Sequence, residues 1–128
     1  MRIIPPDNRI EFVHIRDIAD AFVNSVDNGG TVRKTFTIAG GPRCQMLYRD
    51  EIMRTFKLLG FPEPNWRKFT DKPFNLDWYD TTEAQRILKF QSRDFEVFLK
   101  DFRENLGFKY HALRYGAGIP MRLLHIHI

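Results

Sequence analysis

The chain has 128 residues, 43% hydrophobic and 28% charged, the balance of one globular domain that closes a single core. Twelve Phe exclude a disordered segment, no apolar run reaches membrane-spanning length, and the one cysteine, Cys44, excludes an intramolecular disulfide or a cysteine-based zinc site. Three of the four net positive charges come from the C-terminal end, where Lys109, Arg114 and Arg122 follow the last acid, Glu104, and these are too sparse for a nucleic-acid-binding stripe.

No apolar stretch of signal-peptide length follows Met1, so a cytoplasmic protein is expected. Ile10-Glu11-Phe12-Val13-His14-Ile15 reads as a short strand that is apolar on both sides, the pattern of a strand covered on both faces. Asp17 opens a helix as its N-cap, with Ile18, Phe22 and Val26 on one stripe and Ala19 and Val23 widening it. Asn28-Gly29-Gly30 ends that helix with residues that tolerate positive φ. Thr35-Phe36-Thr37-Ile38-Ala39 alternates with period two and reads as a second strand, followed by a Gly40-Gly41-Pro42 loop. A helix spans about Tyr48 to Leu59, with Ile52, Phe56 and Leu59 on one face and Gly60 as its stop.

From Phe61 to Tyr79 three prolines forbid a long element, and Trp66, Phe69, Phe74, Trp78 and Tyr79 make an aromatic-rich loop. Asp80-Thr81-Thr82-Glu83 has the form of a capping box ahead of a short helix carrying Ala84, Ile87 and Leu88. Ser92 caps a further helix with Phe95, Phe98, Leu99, Phe102 and Leu106 at core spacing and Gly107 as its stop. Beyond it, Leu124-His125-Ile126-His127-Ile128 alternates like a strand. The strand–helix–strand–helix order argues an α/β fold with a small, partly parallel sheet.

Taken together, Arg9-Ile10-Glu11-Phe12-Val13-His14-Ile15-Arg16-Asp17-Ile18-Ala19-Asp20-Ala21 resembles the F-V-H-V-x-D-V-A-x-A segment of extended short-chain dehydrogenases/reductases, the NAD(P)-dependent nucleotide-sugar epimerases and dehydratases. Thr35 to Gly41 is similar to that family's x-F-N-I-x-G-G strand and turn. Glu51 to Gly60 is similar to its E-I…L-G helix, and Asp80 to Leu88 to its D-x-S-K-A-x-x-x-L segment. The resemblance covers about residues 8 to 107, and the first motif is the most specific. The family has Gly where Lys89 follows Leu88 here. The family's Gly-rich dinucleotide fingerprint does not occur, and none of Tyr48, Tyr79, Tyr110 and Tyr115 is followed four residues on by Lys.

The resemblance therefore implies the C-terminal, substrate-binding half of such an enzyme, without the Rossmann half, over residues 1–107, with a basic tail at 108–128 that holds the candidate terminal strand. It implies a nucleotide-sugar-type ligand and NAD or NADP for the complete enzyme, with no cofactor site and no catalytic residue in this chain. Pyrophosphate binding needs a glycine turn that lets backbone amides reach the phosphates; Gly29-Gly30 and Gly40-Gly41 are isolated pairs and read as caps or turns. The alternative is a non-catalytic assembly or protein-interaction module.

Arg9 and Arg67 are the nearest matches to the basic residues with which the family grips the diphosphate, since a guanidinium fork bonds two phosphate oxygens at once; each also reads as a solvated surface arginine. His14 and Trp78 complete the candidate set. His14 reads more simply as a buried structural histidine, and Trp78, like Trp66 and Tyr79, either stacks on a base or sugar or packs against a partner. His125 and His127 lie on one side of the terminal strand but fall short of a four-ligand site, and Cys44 has no adjacent histidine to activate it. Phe12, Val13 and Ile15 leave the first strand needing cover, which is expected from a homodimer, with the folded-back tail Phe108 to Ile128 or a separate Rossmann-half partner as the alternatives.

Overall fold

The computed structural model describes residues 4–115. Two short strands, β1 (Arg9–Glu11) and β2 (Gln45–Leu47), pair antiparallel, with Ile10 opposite Met46. Among the described residues five α-helices follow in chain order: α1 (Ile15–Ser25), α2 (Tyr48–Leu59), α3 (Thr82–Leu88), α4 (Phe95–Leu106) and α5 (Phe108–Tyr115). The fold is thus mixed α/β, but the sheet is antiparallel, not partly parallel as expected.

The reason lies in Gly40 and Gly41. A Cβ on Gly40 would overlap the Phe12 carbonyl oxygen and crowd Cys44, and Gly41 has φ +74°, a conformation glycine adopts freely. The turn Pro42–Cys44 then returns the chain beside β1 in the opposite direction, and Phe12 N donates to Cys44 O at 3.0 Å. Thr35–Ala39, read as the second strand, stands outside the ladder. It nevertheless keeps the burial alternation of a strand, with Thr35 and Thr37 exposed and Phe36 and Ile38 half-buried.

β1 is shorter than the expected strand because His14 already caps α1. Its Nδ1 accepts from Arg16 N at 3.2 Å and its carbonyl accepts from Asp17 N at 2.9 Å. Asp17 is therefore not the cap but lies inside the first turn. Most of the apolar stripe read on this helix also faces outward: Phe22, Val23 and Val26 are 70%, 69% and 68% exposed and Ala19 is exposed, whereas Ile18 is half-buried and Asp17 and Ala21 are buried. The helix ends at Ser25, the positive φ (+58°) of the turn that follows falls on Asp27, and neither Gly29 nor Gly30 takes positive φ.

Two apolar clusters hold the domain. Ile10, Met46, Phe95 and Leu99 join the strand pair to α4, with Phe12, Tyr48, Leu58 and Phe98 packed around them. Ala21, Ala84, Leu88 and Phe90 join α1 to α3, with Phe36, Ile38 and Ile87 at the margin. α2 matches its expected span and ends at Gly60 in the left-handed region, φ +75°. α3 has no capping box: Asp80 accepts from Thr82 N at 2.9 Å, and Glu83 pairs instead with Lys34 at 3.0 Å. α4 is capped by Asp94, which accepts from Glu96 N and Val97 N, not by Ser92. The segment after Gly107 begins as α5, and Arg114 donates to the carbonyls of Lys57 and Leu58 at the end of α2. The terminal strand read at Leu124–Ile128 and the His125–His127 pair lie outside the described residues.

Candidate functional site

The sequence places Arg9 at the start of β1 and Trp78 in the loop before α3, and the fold brings them together. The Arg9 guanidinium lies 4.7 Å from the centre of the Trp78 ring, a cation–π contact worth about 0.5–1 kcal/mol at an exposed site. Asp77 lies 3.6 Å from the same guanidinium, with both side chains more than half exposed, so the ion pair is weak and open to exchange. The indole is fixed at its other edge, where Nε1 donates to Met46 O at 3.4 Å.

Glu11 orders this region from below. Its carboxylate accepts from Gly41 N at 2.7 Å, Tyr79 N at 2.8 Å and Gln45 Nε2 at 3.2 Å, tying β1 and β2 to the loop that carries Trp78. One residue before Arg9, Asn8 accepts from Phe74 N and donates to Leu76 O, which clips the same loop to the strand. Asn8 also lines a groove of about 450 Å³ with Pro6, Trp66, Phe69, Asp71 and Pro73. Trp66 and Phe69 stand 5.0 Å apart and give this groove an aromatic wall.

Arg67 lies on the Trp66–Lys68 turn beside that wall, exposed and without an ion-pair partner among the described residues. Asp7 and Asp71 on the groove disfavour a phosphate inside it. Arg9 and Arg67 are the sequence neighbours of Asn8 and Trp66 in the groove wall; neither lines the groove itself.

His14 does not join this set. It is 4% exposed, caps α1, and turns Nε2 toward Asp101 of α4 at 3.5 Å; its ring meets Phe12 edge-on. Its role in the structure is that of a helix cap. Cys44 is fully buried, and burial, reinforced by Asp94 and Asp17, pushes its thiol up to about 11, which removes it as a nucleophile near neutral pH.

Reading of the sequence missed Glu11 and the Asp17 hub. Asp17 is fully buried and accepts from Ser92 N at 3.2 Å, Ser92 Oγ at 3.0 Å, Arg93 N at 3.1 Å and Arg93 Nη1 at 2.6 Å. The signal was an acid inside a stretch that otherwise reads as buried, because such a charge needs partners.

The glycine pairs do not fit a dinucleotide. Gly41 N is committed to Glu11, and the space over Gly40 is filled by Phe12 and Cys44. Gly30 N donates to Asn28 Oδ1 at 3.0 Å within its own turn. Among the described residues, no group of three or more His, Cys, Asp or Glu could hold a metal ion, and no helix is long and apolar enough to cross a membrane. The chain matches no family model, no curated protein and no solved structure.

Proposed function

We propose that this chain is a cytoplasmic, substrate-side component related to NAD-dependent epimerases and dehydratases of the extended short-chain dehydrogenase/reductase class. It presents a face for a nucleotide-sugar-type ligand and leaves cofactor binding and catalysis to a Rossmann half with a Tyr-x-x-x-Lys pair, whether that half is a separate polypeptide or precedes this chain in a longer one. The observation that carries this reading is the Arg9–Trp78 pair, held by Glu11 and Met46 beside an aromatic groove. A guanidinium over an indole supplies both a phosphate fork and a stacking surface. The motif segments from Arg9 and from Thr35 support the same reading.

The groove takes the base against Trp66 and Phe69, the diphosphate lies toward Arg9 and Arg67, and Asp77 yields its ion pair to the phosphate. Because Arg9 is exposed and its partner weak, affinity for a nucleoside diphosphate alone is in the high-micromolar to millimolar range. Amide and indole NMR shifts under titration with UDP and GDP test this. Changes centred on Arg9, Trp78 and Trp66, lost in Arg9→Ala, are expected; changes confined to the α1 side, or none at millimolar ligand, would sink the reading. The exposed stripe of α1 favours a second role, assembly.

A further inference from the structure

The outward stripe of α1 steps Ile15, Ala19 and Phe22, the i, i+4, i+7 spacing of one helix face, and the exposed Val26 follows at its C-cap. In most helices such a face is the one that packs inward; here Asp17 and Ala21 pack inward instead. Phe22 meets the neighbouring unpaired segment at a cleft of about 250 Å³ that it shares with Phe36, Ile38 and Leu88. Among the described residues the main chain of Thr35 to Ile38 makes no hydrogen bond, although its side chains alternate as in a strand. Free strand edges of this kind are templates for pairing.

We infer that a second copy of this chain covers this surface, through two-fold antiparallel pairing of Thr35–Ile38 with Phe22 of α1 and the C-cap residue Val26 packed across the same axis. The size allows it: from the exposures of its side chains the stripe with Phe36 and Ile38 leaves roughly 500–600 Å² of apolar surface, at the upper end of the ~300–600 Å² that the largest patch on a monomer reaches and within reach of the ~800 Å² each partner buries in a standard interface. The charges select the direction. Lys34 is already paired with Glu83, but Arg33, with no ion pair among the described residues, stands at one end of the segment and the neutral Ala39-Gly40 at the other. Antiparallel pairing about the Phe36–Thr37 centre sets Arg33 against the partner's neutral end, whereas parallel pairing would set arginine beside arginine. An apolar patch with this charge layout complements itself, as closed two-fold assembly requires. The inference is independent of the ligand face at Arg9 and Trp78.

Sedimentation equilibrium of the full chain tests it, together with the double variant Phe22→Glu, Val26→Glu. Both positions are about 70% exposed in one copy, so the monomer fold tolerates the charges. A dimer is expected whose dissociation constant rises at least about tenfold in the variant, with an unchanged circular dichroism spectrum. In the unmodified chain, amide exchange at Thr35–Ile38 slows as protein concentration rises. A chain that stays monomeric at several hundred micromolar overturns the inference. So does a dimer that neither the variant nor the exchange of Thr35–Ile38 reports. A monomer that binds an apolar dye through Phe22 overturns it as well, and assigns the surface to a different polypeptide.

Discussion

Replacing Asp17 with alanine removes the shared acceptor of Ser92 N, Ser92 Oγ, Arg93 N and Arg93 Nη1. Two of these donors are main-chain amides in the turn that leads into α4, and each amide left unpaired costs about 1–3 kcal/mol. The guanidinium is not stranded, because it is about a quarter exposed and keeps Asp20 at 2.7 Å. The total loss is therefore about 3–5 kcal/mol, the range found when one partner of a buried pair is removed. That is a large share of the ~5–15 kcal/mol of a domain this size. Asp17→Asn keeps one acceptor oxygen and loses less, about 2–3 kcal/mol. Asp20→Ala removes only a half-exposed partner and costs about 0–1 kcal/mol. Urea unfolding of the three variants, followed by circular dichroism, gives the ranking. An Asp17→Ala loss no larger than that of Asp20→Ala would refute the view that this carboxylate pins α1 to the α4 entry.

Gly40→Ala places a methyl group against the Phe12 carbonyl and Cys44, so it lowers stability by at least ~3 kcal/mol in the same assay, or prevents folding. Lys89→Gly acts in the opposite direction: Lys89 holds φ +49° at the end of α3, and relief of a left-handed non-glycine residue stabilises by about 1 kcal/mol. Cys44 stays unreactive to thiol reagents at pH 8 until the chain unfolds. Its thiol ionises at about 11 in the fold, against 9.0 as its ordinary value. Its contribution to stability is therefore complete below about pH 9 and fades as pH rises toward 11, which alkaline unfolding of Cys44→Ala as the control separates from other groups.

Local signals were legible where one residue type settles the matter. Gly60 and Gly107 end α2 and α4, and the spacing of Ile52, Phe56 and Leu59 gives α2 its span. Pairing was not legible. The period-two pattern at Thr35–Ala39 describes the side chains correctly, but nothing in it reveals that Gly40 and Gly41 would deliver Gln45–Leu47 to β1 instead. The α1 stripe misled for a related reason: periodicity gives a face but not its direction, and the Asp17 bonds to Ser92 and Arg93 turn that face outward. The caps fall at His14 and Asp94, three and two residues from the expected Asp17 and Ser92, because side chains capable of capping stand close together. Of the candidate site, Arg9 and Trp78 were named from separate segments and meet in the fold. His14 was named with them and instead caps α1 against α4.

The most direct test of a ligand side without a cofactor side is calorimetric titration of one preparation with UDP and with NADH at physiological salt. The account predicts weak saturable heat with UDP that is abolished in Arg9→Ala and in Trp78→Ala, and no saturable heat with NADH. Micromolar NADH binding, or UDP binding that survives both substitutions, would contradict it.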